Sequence, residues 1–310
     1  MKIYENDFFQ ENKKGCVLAL GNFDGVHKGH AYLLDCAKEY ADKKGLDFGV
    51  YTFVKHPKVL GGKKHEMLCT LQERLSLLKE HNPDFVYLES FDEVKDLSPE
   101  SFVDLIVEKF CAECAFCGDN FTFGKMAVGT SGTLELLMKK KGKQAVVVKP
   151  VEVDGTVVSS TQIRNCLHEG NAQMAARLLG RGYCFVSTVL HGQELGRKLG
   201  FPTINQIVPE EKILPALGVY SSVVAVDGKD YMGVTNIGVK PTVWEDERKI
   251  MAETHIIDFS GDVYGKTVSV ELYKRLRGEK KFKSLSELTQ NISQNVQQTR
   301  EYFKEFKYEE

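Results

Sequence analysis

The chain has 310 residues, and at roughly 150 residues per domain this length favours two domains. Hydrophobic residues make up 42% and charged residues 27%, proportions that argue against wholesale disorder. The 41 basic and 43 acidic residues leave a formal net charge of -2, so the surface as a whole offers no electrostatic case for binding nucleic acid or a membrane. We find no apolar run near the ~18 residues of a membrane span and no signal-peptide pattern, and we expect a cytoplasmic protein.

Eight cysteines are scattered along the chain, which is not the density of a disulfide scaffold. Cys111, Cys114 and Cys117 repeat every third residue, a spacing found at the start of iron–sulfur runs. Such a run wants a fourth cysteine about four residues later, and that position is Phe121. We therefore favour small apolar thiols at a helix end and in a buried strand, with metal or redox chemistry as the alternative.

The first half of the chain alternates short apolar runs with helical periodicities. The apolar runs predict strands at 16–21, 48–53, 85–88, 115–117 and 145–150. The helical periods predict helices at 28–44, 70–81, 98–110 and 134–141, followed by a helical region at 161–180. Ser98 is the predicted N-cap of the third helix, with Pro99 at its first position. Strands that alternate with helices indicate a parallel, doubly wound α/β sheet.

The pattern changes near Gly182, where strands separated by Gly, Asp and Pro turns begin. These strands are predicted at 183–190, 219–226, 231–237, 253–258 and 267–273. No long helix is predicted between them, which is typical of an antiparallel barrel or sandwich, and a final helix is predicted at 284–306. We place a domain boundary near residue 181, with domains at 1–181 and 182–310.

The most informative local motif is GNFDGVHKGH, from Gly21 to His30, which follows the first strand and opens the first helix. The N–H groups and dipole of a helix start favour an anion. The imidazoles of His27 and His30 are donors that can stabilise charge on a phosphoryl oxygen. The alternatives are two histidines that cap a helix, or a metal pair, although a zinc site would lack an obvious third ligand nearby.

A second motif, SSTQIR at 159–164, follows the last strand of the same domain and begins a helix. Hydroxyl groups and the guanidinium of Arg164 at a helix N-terminus suit a phosphate group. Taken alone, the hydroxyl side chains would equally serve as simple N-caps.

A glycine-rich stretch runs from Gly192 to Asn205 in the second half of the chain. Its glycines suit a flap over phosphates, with a glycine-rich hairpin as the alternative. Thr203 and Asn205 are two residues apart, so on a strand they share a face. A hydroxyl and an amide oxygen are ligands of the kind that Mg²⁺ accepts beside nucleotide phosphates.

The histidine motif and the SSTQIR motif together resemble the H-x-G-H nucleotidyltransferase superfamily. GDNFTFG at 118–124 narrows the likeness to the flavin adenylyltransferase module of the bacterial bifunctional riboflavin kinase/FAD synthetases. The resemblance implies a Rossmann-like nucleotidyltransferase domain in the first half of the chain. It implies these roles: catalytic, His27 and His30; ATP-phosphate binding, Asn22, Ser160, Thr161 and Arg164; flavin or nucleotide binding, Asn120 and Phe121.

One position departs from the pattern of that family. The family usually reads T-F-D-P-H-P after the second strand, whereas this chain has TFVKHP at 52–57, with Val54 in the acidic position. Valine accepts no hydrogen bond. We therefore predict that adenylyl transfer is the weaker of the two activities, or that it prefers an altered flavin state.

Three later motifs, NIGVKPT at 236–242, ETHIIDF at 253–259 and LRGEKKF at 276–282, resemble the riboflavin kinase module in the order of the family. The likeness thus spans essentially the whole chain, and it implies a six-stranded antiparallel β-barrel with a terminal helix. It implies these roles: catalytic base, Glu253; magnesium ligands, Thr203 and Asn205; flavin or nucleotide binding, Arg277; ATP-phosphate binding, Gly192, Gly196, Arg197 and Gly200. From the residues alone, Glu253 would equally be a surface carboxylate.

The resemblance implies a two-domain enzyme of FAD biosynthesis. The barrel would phosphorylate riboflavin with MgATP to give FMN and ADP, and the α/β domain would transfer AMP from ATP to FMN, giving FAD and pyrophosphate. Its partners would be these small molecules, with no nucleic acid and no membrane, and the oligomeric state is left open. The alternatives are that only one site is competent, or that the protein is a non-enzymatic flavin or nucleotide sensor.

Overall fold

The computed structural model describes residues 1–5, 14–55, 66–192, 195–242 and 245–306. The chain divides into two compact units, Met1–His65 with Leu71–Ser159, and Glu66–Thr70 with Ser160–Glu310. The first unit is built on parallel strands and helices, and the second on antiparallel strands. The predicted fold class, α/β followed by an antiparallel β domain, is confirmed.

The described residues of the first unit contain ten strands, six of which form one parallel sheet. In chain order they are β1 (Lys2–Glu5), β2 (Cys16–Leu20), β3 (Asp47–Phe53), β4 (Phe85–Glu89), β5 (Ala112–Gly118), β6 (Thr122–Phe123), β7 (Gly129–Thr130), β8 (Gln144–Val148), β9 (Glu152–Val153) and β10 (Thr156–Val157). The sheet order is β1-β4-β3-β2-β5-β8, and β6–β7 and β9–β10 are separate two-stranded pairs. Because β3 lies on one side of β2 and β5 on the other, the strand order reverses there, and ligands bind at such a point in open α/β sheets.

Helices cover both faces of this sheet. They are α1 (Lys28–Lys44), α2 (Leu71–Glu80), α3 (Phe91–Val94), α4 (Pro99–Phe110) and α5 (Ser131–Lys140). The predicted N-cap is confirmed, since the Ser98 side chain accepts a hydrogen bond from the Ser101 N–H at 3.1 Å and Pro99 follows it. Every residue of β2 is buried, as expected for a strand in the centre of a covered parallel sheet.

The three closely spaced cysteines lie apart on this framework. Cys111 caps the end of α4, whereas Cys114 and Cys117 lie on β5 and pack into the apolar clusters on opposite faces of the sheet. Residues three apart on a strand point to opposite faces, so these two thiols do not meet at one ion. Burial raises the pKa of Cys114 to about 11 and that of Cys117 to about 12. Both thiols therefore stay protonated, and the apolar interpretation holds for them.

In the part of the second unit that the structure describes, six strands form one antiparallel sheet. The elements of this unit are α6 (Ser160–Glu169), α7 (Ala172–Leu179), β11 (Tyr183–Thr188), α8 (Leu195–Lys198), β12 (Thr203–Ile207), β13 (Gly218–Val226), β14 (Lys229–Thr242), β15 (Glu245–Ile256), β16 (Thr267–Arg277) and α9 (Leu285–Phe306). The order is β11-β16-β13-β14-β15-β12. The sheet curls into a half-barrel, and the N–H of Leu190, just after β11, donates to the Asn205 carbonyl in β12 at 2.8 Å.

Alternate residues of the curled sheet form its buried core, and those between them face outward. Thr235 and Thr254 are fully buried and their hydroxyls lie 2.9 Å apart. On the outer side, α9 docks through Thr299, whose hydroxyl is 2.9 Å from that of Ser221 in β13. The terminal helix thus covers part of the outer face.

A short stretch from early in the chain completes the second unit. The Met67 N–H donates to the Glu211 carbonyl, and the Ile213 N–H donates to the Met67 carbonyl, both at 2.8 Å. The ammonium group of Lys212, which is 5% exposed, donates to the Leu68 carbonyl at 2.9 Å. Residues 66–70 therefore pack with the antiparallel half although they precede α2 in the chain.

Some strands of the fold differ from the sequence expectation. The edge strand β1 was not predicted, because KIYE has no apolar pattern. The strands β14 and β15 extend well beyond 231–237 and 253–258, toward each other along the chain. The sequence pattern missed the added residues because most of them are polar. The boundary near residue 181 stays a prediction, and α6 and α7 belong to the second unit. Within the described residues, no helix combines the length and apolarity needed to cross a membrane.

Two candidate active sites

The loop after β2 adopts an unusual backbone conformation before α1 begins. Phe23 has φ +50° and Val26 has φ +35°, both in the left-handed region. A β-branched residue there is a real outlier, and such strain persists only where surrounding contacts hold it. Phe23 is fully buried and Val26 is 4% exposed, so packing supplies part of that support. The loop delivers His27 to the first position before the helix.

His27 and His30 form a stacked pair at the start of α1. Their ring centroids are 3.7 Å apart and the rings are 12° from parallel. The backbone N–H of His30 donates to Nδ1 of His27 at 3.2 Å, so His27 is the N-cap of the helix. Because Nδ1 accepts this bond, the neutral His27 ring carries its proton on Nε2. His27 therefore fits both interpretations of the histidine motif, because it caps the helix through Nδ1 and still presents Nε2–H as a hydrogen-bond donor.

His30 is held neutral within the site. Burial, together with the neighbouring His27, holds the pKa of His30 well below its usual range. Phe23 packs edge-on against its ring at 5.2 Å. Within the described part of the chain, Nδ1 of His30 and the side-chain oxygen of Asn22 are buried without a hydrogen-bond partner. Since buried polar atoms are nearly always satisfied, a molecule bound here can supply the missing hydrogen bonds.

A buried arginine that the sequence analysis did not single out, Arg74, holds the loop after β2 in place through hydrogen bonds. Arg74 of α2 is 2% exposed, and its guanidinium donates to the Asn22 carbonyl at 2.9 Å. It also donates to the carbonyls of Phe53 at 2.5 Å and Val54 at 3.3 Å. The Thr52 hydroxyl donates to the same Asn22 carbonyl at 3.2 Å. The loop after β2 and the end of β3 are thus joined through one cation.

Val54, the position that departs from the family pattern, has its own packing role. Its side chain is partly buried against the apolar cluster beneath α1, and its N–H donates to the Glu89 carbonyl at 3.0 Å. The predicted weakness of adenylyl transfer stays a prediction. His56 and Pro57 of the same motif, and Trp244 of the second half, lie outside the described residues.

Asn120 and Phe121 follow β5, the strand beside β2 in the sheet. Parallel neighbours end at the same edge, so this turn and the histidine loop follow adjacent strands at the point where the strand order reverses. Phe121 stacks on Phe123, with ring centroids 5.7 Å apart. Asn120 is exposed, whereas Phe121 is partly buried against the core.

Ser160, Thr161 and Arg164 form a second group at the start of α6, in the second unit. Ser160 opens the helix, as predicted. Nε of Arg164 donates to the Glu66 carbonyl at 2.8 Å, so part of this guanidinium is engaged with the protein. The structure thus brings Asn22, His27 and His30 together around one loop, and the hydroxyl and Arg group around one helix start.

The second candidate site is a polar row on the outer face of the curled sheet. The register pairs Asn205 of β12 with Glu253 of β15, and Glu253 with Asn236 of β14. Directly paired residues share a face, so the carboxylate of Glu253 lies between two amides. Thr203 lies two residues from Asn205 on the same face, as the spacing predicted. Asn236 was part of a quoted motif, but only the register shows that it belongs to this row.

The glycine-rich stretch lies against the two predicted magnesium ligands. A Cβ at Gly192 would collide with the side-chain amide of Asn205, and one at Gly196 would collide with the Phe201 carbonyl and meet the Thr203 hydroxyl at 3.3 Å. Only glycine permits this approach, which explains the two positions physically. Arg197 and Gly200, in contrast, are exposed at the end of this stretch.

Arg277, the predicted flavin or nucleotide contact, is tied to the terminal helix. Its Nε donates to the side-chain oxygen of Asn295 in α9 at 3.1 Å. Its guanidinium carbon lies 5.4 Å from the ring centre of Phe282, a cation–π distance. Asn295 is only 4% exposed, so this contact anchors α9 as well as Arg277.

Comparison with known proteins shows what these two units resemble. The family model described as FAD synthetase matches residues 9–162, and the one described as riboflavin kinase matches residues 179–303. The chain is 36% identical over 305 residues to the bifunctional riboflavin kinase/FMN adenylyltransferase of Bacillus subtilis (strain 168), which covers 97% of this chain and 96% of that protein.

Two further likenesses cover nearly the whole chain. The bifunctional riboflavin kinase/FMN adenylyltransferase of Escherichia coli (strain K12) is 36% identical, over 95% of each chain. Among solved structures, the crystal structure described as a macrolide-efflux protein from Streptococcus pneumoniae superposes with a TM-score of 0.87 at 29% identity, covering 97% of this chain and 99% of that one.

Proposed function

The chain belongs to the family of bifunctional riboflavin kinase/FMN adenylyltransferases, and on that premise we propose which side chains carry its two reactions. The enzyme phosphorylates riboflavin with ATP to give FMN, and transfers AMP from ATP to FMN to give FAD. We assign adenylyl transfer to the α/β domain, residues 1–181, and phosphorylation to residues 182–310. The helix start with Ser160, Thr161 and Arg164 offers hydroxyl groups and a guanidinium that suit a phosphate group.

Adenylyl transfer needs donors rather than a base. The nucleophile is the phosphate of FMN, which carries about -1.5 to -2 charges at neutral pH and has no proton to lose. Negative charge develops on the oxygens of the ATP α-phosphate and on the departing pyrophosphate. Nε2–H of His27 and the ring of neutral His30 donate hydrogen bonds to those oxygens, and the N-terminus of α1 favours the same charge. Asn22 adds an amide at the same loop.

Phosphorylation of riboflavin, in contrast, needs a proton acceptor. The ribityl 5′-hydroxyl must lose its proton as it attacks the γ-phosphate of ATP, and Glu253 supplies the carboxylate that accepts it. The amides of Asn205 and Asn236 on either side of Glu253 bear no charge, so of these three paired side chains Glu253 is the one that can accept the proton. Arg277 and the exposed Arg197 contribute positive charge for the flavin and the nucleotide.

Thr203 and Asn205 would hold Mg²⁺ beside the phosphates. The residues fit this ion, because a hydroxyl and an amide oxygen on one strand face are hard ligands next to a carboxylate, and Mg²⁺ usually keeps several waters and phosphate oxygens of its own. Bound there, the ion neutralises phosphate charge. We also propose that the enzyme works in the cytoplasm, where its eight cysteines, all free thiols, stay reduced.

The stacked His27–His30 pair at the start of α1 is the observation that carries the adenylyl-transfer assignment. Chromatography of products from riboflavin, ATP and Mg²⁺ tests it. Wild type is expected to form FMN and then FAD, whereas His30→Gln is expected to accumulate FMN. His81→Gln is a matched control, because the His81 ring contacts Asp35 at 2.7 Å outside the site. FAD formation at the wild-type rate by His30→Gln would show that the assignment is wrong.

A further inference from the structure

We propose that Arg74 is a positioning residue for adenylyl transfer, acting through the loop that carries Asn22, His27 and His30. The inference rests on the proposed role of the histidine pair and adds a residue to it. Arg74 lies on α2, is 2% exposed, and reaches three backbone carbonyls that terminate two neighbouring strands. A guanidinium, with five donors in a planar fork, is the side chain suited to such a multiple contact.

The contacts of Arg74 fall where the backbone is under strain. The carbonyl that it holds at 2.9 Å belongs to Asn22, and the next residue, Phe23, has φ +50°. Left-handed conformations of bulky residues relax unless the structure around them over-determines the backbone. Two donors, Arg74 and the Thr52 hydroxyl, fix the Asn22 carbonyl. Removing one of them lets the peptide between Asn22 and Phe23 turn toward an ordinary conformation.

That movement reaches the histidines through direct contacts. The Phe23 ring packs edge-on against His30 at 5.2 Å, and His30 stacks on His27 at 3.7 Å. The side chain of Asn22, whose oxygen is buried and unsatisfied among the described residues, moves with its own backbone. A misplacement of about 1 Å at reacting groups costs roughly 10²-fold in rate. Arg74 thus sets the geometry of groups that bind the transferred phosphate, without touching it.

Three variants test the proposal in the full-length enzyme. Arg74→Met keeps much of the volume but no donor, and the kcat for FAD formation from FMN should fall roughly 100-fold, while the kcat for riboflavin phosphorylation stays unchanged. Arg74→Lys keeps the charge but reaches fewer carbonyls, so its kcat for FAD formation should lie between those of wild type and Arg74→Met. The KM for ATP should change far less than kcat, because ATP still meets the same side chains.

Leu78→Ala is the stability-matched control. Leu78 is fully buried on the same helix, one turn after Arg74, in the apolar cluster that also contains Phe23 and Val26. Its truncation leaves a cavity there but keeps the carbonyl contacts of Arg74. It should lower the melting temperature yet retain the wild-type kcat for FAD formation below the transition. An equal loss of kcat in Leu78→Ala and Arg74→Met would overturn the proposal, as would wild-type kcat in Arg74→Met.

Two outcomes keep the test decisive. If Arg74→Met fails to fold, Arg74→Lys alone decides, since an unchanged kcat in a folded lysine variant contradicts the need for a multiple carbonyl contact. His30→Gln is measured alongside. If that variant makes FAD normally, the histidine assignment itself fails, whereas loss in His30→Gln with no loss in the Arg74 variants removes only the positioning role.

Discussion

Replacing Glu253 by Gln isolates the proton-accepting role of the carboxylate. The substitution keeps the size of the side chain and its ability to hydrogen-bond. The register places the amides of Asn205 and Asn236 beside it, and neither amide can accept a proton at neutral pH. His255 lies two residues along the same face, and its Nδ1 lies 2.9 Å from the Pro202 carbonyl. The substitution therefore removes the proton acceptor from the set of side chains that the register pairs directly.

The expected loss in FMN formation is the full value of a general base, roughly 10²- to 10⁴-fold. At ~1.36 kcal/mol per tenfold change, this corresponds to about 2.7–5.4 kcal/mol of barrier. The assay is the initial rate of FMN formation from riboflavin, followed by chromatography at saturating ATP and Mg²⁺. Conversion of supplied FMN to FAD in the same preparation should stay at the wild-type rate, since that reaction does not use Glu253.

Glu271→Gln is the matched control, because it makes the same chemical change in the same sheet. Glu271 of β16 is a largely buried carboxylate that accepts hydrogen bonds from the Tyr273 hydroxyl at 2.9 Å and the Gly182 N–H at 3.2 Å. Its loss should affect stability more than turnover. Kinase turnover of Glu253→Gln within a few-fold of wild type would refute the reasoning, and so would an equal loss in both variants.

The remaining predictions concern pH, position 54 and the domain boundary. The pKa of His30 is held below the 6.5 of an unfolded histidine, so as the pH falls the unfolded chain binds this proton before the folded protein does. The contribution of His30 to stability is therefore lost as the pH falls below 6.5. Thermal unfolding measured between pH 5 and 8 should show a smaller loss of stability at acid pH in His30→Gln than in wild type. Val54→Asp should raise the rate of pyrophosphate release from FMN and ATP by roughly 5- to 150-fold. It should also lower the free energy of unfolding by about 1–3 kcal/mol, because the Val54 side chain packs on an apolar cluster. Slower pyrophosphate release would contradict the predicted gain in rate. A fragment of residues 182–310 should phosphorylate riboflavin. Its melting temperature should be lower than that of a fragment of residues 160–310, because α7 buries Leu178 and Leu179 against the sheet. Equal melting temperatures of the two fragments would contradict the role given to α7.

The local motifs were readable from the sequence because their chemistry is local. The residues that place His27 before a helix are contiguous, and so are the helix and its cap. The spacing of Thr203 and Asn205 likewise sets their shared face on a strand, whatever the partner strand is. Periodicity identified the central strands, such as β2 with all residues buried, since burial and apolar composition coincide there.

What the sequence could not supply depends on distant partners. Arg74 sits in LQERLSLLKE, where an arginine on an amphipathic helix is typical of a solvated face, and only the packed structure shows it 2% exposed against three carbonyls. Asn236 joins the polar row through a strand register, which no local pattern encodes. The pairing of β11 with β16 brings the side chains of Cys184 and Ser269 to 3.4 Å from each other, although 85 positions separate them along the chain.

Residues 66–70 have a consequence for the order in which the protein is made. The Leu68 carbonyl meets the Lys212 ammonium 144 residues later in the chain. At ~5–20 residues per second, a ribosome needs roughly 7–30 s to synthesise that interval. During this time the stretch has emerged without the backbone partners, Glu211 and Ile213, that it pairs with in the finished molecule. Residues 66–70 are therefore among the first parts of the antiparallel half to be synthesised, but they can pair with it only after the residues on both sides of Lys212 have been translated.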